Sequence, residues 1–347
     1  MVLPGRTAQR DAGVPPGADP HHSALILAPN EHVIDPTGEL ANRLLRLRTE
    51  DTLTPRHPGI RFLALPSALA EWQAAGHDMH PFHEGVELLH MRYRELGMTR
   101  LLPPERVAIG TESADTAAWG GFHHPDQGYR HLQMRALITM YGPLTSTPQN
   151  PSLSALDLLR SYAHDCLHYG SYRSYRLRNG EIVRSQYGVN FRRPDGRTYS
   201  APDTADAPGT RNLGVVMEGA CDWEARAITR RAAERCGIQE PEGPDRFAYR
   251  DSTGRLNAAD LRQLTSGHGL APHAGAARFL ESMGRYTTAV NSRYAWFLDD
   301  AGPEEGAELH AEVLRALISG SVSGLCAWLD VRHGPGEFLA RFRTPSY

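Results

Sequence analysis

The sequence predicts a mostly helical α+β fold, and three observations carry that expectation. The longest apolar periodicities, over 151–169, 213–235, 272–298 and 303–330, repeat at helical spacing. Between the first two lies YGSYRSYRLRNGEIVRSQYGVNFRRPDGRTYS, rich in Tyr, Val, Ile and Arg and interrupted at Asn179-Gly180 and Asp195-Gly196. Those dipeptides suit hairpin turns whose central residues need positive φ, so an antiparallel ribbon is expected between two long helices. Finally, 347 residues with 40% hydrophobic content are enough to bury a sizeable core.

Shorter elements fill the N-terminal half. Residues 1–24 are rich in Pro, Gly and Ala without periodicity and read as a flexible tail. DPTGELANRLLRLRTED, from 36, begins with a plausible cap and continues in helical period, and IRFLAL reads as a short strand. Helices are expected at 66–76, 81–97 and 127–141, and loops at 200–211 and 237–256. The implied organisation is a tail over 1–24, a mainly helical region over 25–150, a core over 151–236 and a C-terminal helical region over 237–347.

Charge narrows the function classes. With 37 Lys+Arg against 40 Asp+Glu the formal net charge is −3, so no global field favours nucleic acid or an anionic membrane. Cys166, Cys221, Cys236 and Cys326 form no CxxC pair and read as free thiols. No apolar run resembles a signal peptide or a membrane span, which makes a cytoplasmic location the default expectation. No GxGxxG after a strand, P-loop or GxSxG occurs, leaving nucleotide chemistry and a serine elbow without a motif.

The chemistry concentrates in LLRSYAHDCLHYG. His164 and His168 are four apart on a periodic helix, so both rings leave one face and can converge on one cation. Leu156, Leu159, Ala163 and Leu167 form the adjoining apolar stripe, which places the histidines at the edge of the core. Asp165 stands directly after the first histidine, where an HExxH helix carries a general base. Downstream, NLGVVMEGACDWEARAITR places Glu218 and Asp222 four apart on a second helix. Glu218 supplies a third N/O ligand for zinc, and Asp222 can accept the free N–H of a ligating histidine. By helical spacing Cys166 and Cys221 point away from these faces, toward packing.

The two motifs resemble those of the gluzincin metallopeptidases, the thermolysin-like clan of zincins, with HDxxH in place of HExxH and a downstream ExxxD. The resemblance covers two short motifs within roughly 160–225. It implies a zincin-like core and a zinc-dependent hydrolase in which activated water attacks an amide or related acyl bond of a peptide or small amide. His164, His168 and Glu218 then hold the metal, Asp165 takes the proton and Asp222 orients a ligand. The departures are Asp165, one methylene shorter than Glu, and the 50 positions between His168 and Glu218, which the ribbon fills. His268, His273, Tyr286, Tyr294 and His310 are candidates for stabilising an oxyanion.

Two other readings stay open. His83, Glu87 and His90 share a helix face in HPFHEGVELLHMRYRELG, and Glu87/His90 with Asp165/His168 form the paired motifs of a di-iron carboxylate oxygenase. A non-catalytic zincin-like binding scaffold is the third reading.

Overall fold

A computed structural model describes residues 31–34, 60–113, 120–123, 131–134, 150–178, 181–193, 197–266 and 274–343. The tail over 1–24, the helix expected from 36, His268 and His273 lie outside the described residues. In chain order the elements begin with β1 (Glu31–Ile34), β2 (Ile60–Ala64), α1 (Leu65–Ala74), α2 (His80–Glu95), β3 (Val107–Ser113), β4 (Gly120–His123) and β5 (His131–Met134). They continue through α3 (Pro151–Gly170), β6 (Arg173–Arg178), β7 (Glu181–Tyr187), β8 (Asn190–Phe191), α4 (Leu213–Arg235), α5 (Asp245–Thr253), α6 (Ala258–Ser266) and α7 (Ala274–Tyr286). A π-helical turn, Thr287–Ser292, leads into α8 (Arg293–Ala301), then α9 (Gly306–Ser319), α10 (Ser323–His333) and α11 (Glu337–Phe342). The fold is α+β and mostly helical, and no helix among the described residues is long and apolar enough to cross a membrane.

The two long helices start as their sequences dictate. Asn150 caps α3 by accepting from Leu153 N at 3.3 Å, with Pro151 in the first turn, where a missing N–H costs nothing. Asn212 caps α4 by accepting from Gly214 N and Val215 N at 2.8 and 3.2 Å. Each cap contributes about 1 kcal/mol. The helices pack antiparallel: His164 lies beside Asp222 and His168 beside Glu218, so four steps forward on α3 match four steps back on α4. Leu156, Leu159 and Ala163 of α3 and Val216, Ala220 and Ala225 of α4 are fully buried.

The described strands form two sheets, with strand orders β1-β6-β7-β8 and β2-β3-β5-β4. The expected ribbon is present: β6 and β7 are antiparallel and Arg178 pairs with Glu181 across Asn179-Gly180. Past β8, a bridge between Arg192 and Thr198 folds the chain back around Asp195-Gly196. The IRFLAL strand is β2.

Four expectations need correction. The helix expected at 127–141 is a strand where the chain is described, because His131–Met134 pair with both β3 and β4 and sheet pairing overrides local periodicity. The loop expected at 237–256 contains α5, held by buried Phe247 and Tyr249 and stopped by Gly254, which takes the left-handed conformation at φ 70°. The helix expected at 272–298 carries the π-helical turn. The helix expected at 303–330 divides after Ser319, because Gly320 is left-handed with φ 71°.

Gly320 also lacks room for a side chain: a Cβ there would stand 2.3 Å from Cγ of Tyr172. Gly320→Ala is therefore expected to destabilise the protein by about 1–3 kcal/mol through left-handed strain and overpacking. A lower urea midpoint at unchanged slope checks this, and an unchanged midpoint contradicts it.

Candidate metal site

The α3–α4 pairing brings the sequence-derived ligands together. Nε2 of His164 lies 3.4 Å and Nε2 of His168 3.2 Å from the same Glu218 oxygen. One ligand atom from each of the three residues falls within 4.8 Å of the others, and among the described residues no other group of three meets that condition. His168 is buried, while the Glu218 side chain is 41% exposed, so the cluster is open on one side. The donor set of two imidazoles and one carboxylate suits a divalent transition metal.

Asp222 sits behind His164. Its side chain is fully buried, and Oδ1 stands 3.6 Å from Nδ1 of His164, the nitrogen facing away from Glu218. A buried carboxylate needs compensation, which two arginines supply. Arg160 donates to Asp222 Oδ1 at 3.3 Å, and Nε of Arg226 pairs with Oδ2 at 2.8 Å. Both arginines are tied in turn: Arg160 to Asp157 at 2.9 Å and Arg226 to Asp251 of α5 at 2.7 Å. Sequence reasoning found Asp222 but missed this frame, since nothing in a local pattern joins Arg226 to Asp251.

His168 has different company. Its Nδ1 lies 3.9 Å from Sγ of Cys221, and its ring packs 5.5 Å from that of Tyr187 on β7. Cys221 is thus not only a packing residue, as helical spacing suggested. Asp165 is half-buried, and its charge acts on His168 and on the Cys166 thiol.

Protonation follows from these surroundings. Burial works to lower His164, but the neighbouring carboxylates of Asp222 and Glu218 outweigh it and push it up to about 10. For His168, burial prevails over the attraction of Glu218, and the neighbouring His164 adds to it, so its value is lowered. Burial would raise Glu218, yet the two histidines hold it well below the usual carboxylate range. The surroundings therefore favour a proton on His164 over one on His168.

The other candidates separate. Tyr286 is exposed at 36%, and desolvation, then the charges of Asp222 and Glu218, are among the influences that raise its phenol. Tyr294 and His310 belong elsewhere: their side chains meet at 2.7 Å, and His310 Nε2 lies 2.8 Å from Glu224, which also binds Arg92. His83, Glu87 and His90 lie on the exposed face of α2, so the di-iron set with Asp165 and His168 is not assembled. A cavity of about 620 Å³, lined by Phe191, Tyr199, Val322, Phe338 and Leu339 among others, contains none of the five site residues.

Neither a protein-family model, nor a curated protein, nor a solved structure matches the chain.

In metal-free protein His164 is expected to keep its proton through pH 7 and release it near pH 10, with His168 neutral at pH 7. Because the folded value of His164 is raised, its contribution to metal-free stability is complete below about 6.5 and is lost as pH rises through about 10. Asp222→Asn should pull His164 downward. Side-chain nitrogen shifts followed by NMR check the assignment, and two histidines titrating together near their ordinary value contradict it.

Proposed function

We propose that the protein is a zinc-dependent hydrolase of the kind its motifs resemble, acting on an amide or related acyl bond of a peptide or small amide. The observation that carries this reading is the convergence of His164, His168 and Glu218. A tetrahedral zinc with N and O ligands at about 2.0–2.1 Å has edges of about 3.3–3.4 Å between ligand atoms. The observed separations of 3.4 and 3.2 Å match those edges. Charge adds support: four carboxylates, Asp157, Glu218, Asp222 and Asp251, face two guanidiniums, Arg160 and Arg226, so the frame is net negative and favours a cation.

Zinc bound there would supply a Lewis acid and a water acidified to a pKa of about 7. The protein's own groups have distinct tasks. Asp165 leaves the helix about 100° around from His164, beside the ligand face, and takes the proton from the attacking water. Its short side chain needs the water seated closer to α3 than a glutamate would. The protonated Tyr286 hydroxyl donates to the oxyanion that forms as the carbonyl is attacked. Asp222 keeps the Nδ1–H tautomer of His164, so that Nε2 is the free donor.

Asp165→Asn preserves shape and removes the base, so turnover should fall about 10²–10⁴-fold while zinc content and melting temperature stay near wild type. His164→Ala should lose zinc and turnover together. Steady-state assays over a panel of peptides and acyl amides, with metal analysis of each variant, test both. Full turnover in a zinc-loaded Asp165→Asn removes the base assignment; wild-type inactivity across the panel favours the scaffold.

A further inference from the structure

The metal-site reading leaves unexplained why a buried arginine, Arg226, a half-buried one, Arg160, and two further buried aspartates stand behind the ligands. A lone capping carboxylate for His164 could have been set at the surface, where solvent would stabilise it. Instead Asp222 has no exposure, and its two oxygens are divided between partners on different helices. Oδ1 serves both His164 and Arg160, which are one turn apart on α3, while Oδ2 faces Arg226 on α4 itself. Arg226 is then fixed from outside the helix pair by Asp251 of α5, which Thr287 at the π-helical turn also approaches at 3.5 Å. No contact joins either arginine to His168, whose second nitrogen meets the Cys221 thiol.

We propose that Arg226, with Arg160, is a positioning residue for the metal site: it fixes the Asp222 carboxylate at the angle that holds His164, making metal affinity depend on α5. This rests on the zinc reading above. An arginine suits the task because its planar fork reaches two carboxylates at once, Asp222 through Nε and Asp251 through NH2, whereas a lysine offers one point charge. Arg226→Lys thus keeps the charge and loses the bridge.

The test is a double-mutant cycle on zinc affinity, read by competition with a chromophoric chelator, for wild type, Arg226→Lys, Asp222→Asn and the double variant. Circular dichroism establishes that each is folded. Arg226→Lys should weaken zinc binding about 10–100-fold, the range for groups that orient a metal-ligating histidine. Because Arg226 acts through Asp222, the double variant should bind no more weakly than Asp222→Asn alone. A folded Arg226→Lys with wild-type affinity, or a double variant in which the two losses multiply, overturns the proposal while leaving the metal site standing. Wild type that takes up no zinc overturns both. Should Arg226→Lys not fold, the same cycle with Arg160→Lys decides, since Arg160 reaches the same Asp222 oxygen as His164.

Discussion

The buried carboxylate of Asp222 is the constraint around which the rest of the site is arranged. A charge removed from water is tolerated only when ion pairs and hydrogen bonds replace the lost hydration, and breaking such a pair costs about 3–5 kcal/mol. Asp222 meets that condition from three directions: Arg160 and His164 on α3, and Arg226 on its own helix. A slip of α3 along α4 would break the Arg160 and His164 contacts together. The same register that satisfies Asp222 brings His168, one turn later, against Glu218, one turn earlier. Electrostatics and apolar packing thus select one alignment, and that alignment creates the three-residue cluster.

The two histidines are made unequal by what stands behind them. His164 backs onto an anion that is itself held by two cations, and it keeps a proton in the metal-free state. His168 backs onto a thiol and the Tyr187 ring, and burial keeps it neutral. A cation bound as proposed would have to displace a proton from His164 more than from His168. The asymmetry follows from partner residues and from no difference between the ligands themselves.

Much of this arrangement was legible in the sequence because it is written at helical spacing. The i, i+4 pairs His164/His168 and Glu218/Asp222 declare shared faces. The Asn179-Gly180 dipeptide signals the ribbon between them. Contacts between elements far apart in sequence were not legible. Asp251 lies in a helix of nine residues between stretches rich in Pro and Gly, so its turn signals obscured α5 and with it the partner of Arg226. The short strand at His131–Met134 was hidden because its pairing partners, β3 and β4, lie elsewhere in the chain. Cys221 seemed to face the core by its helical angle, yet a sulfur 3.9 Å from a ring nitrogen needs little deviation from that direction. Of the oxyanion candidates within the described residues, Tyr294 and His310 were set apart only once the fold put them against Glu224.

The central claim is that His164, His168 and Glu218 hold one zinc ion through two imidazole nitrogens and one carboxylate oxygen. X-ray absorption at the zinc edge, on protein loaded with one equivalent, reads that coordination directly. The account predicts a shell of N and O scatterers at about 2.0–2.1 Å with the outer-shell signature of two imidazoles. A sulfur scatterer at about 2.3 Å, which would bring Cys221 into the ligand set, or a shell without imidazole would contradict it.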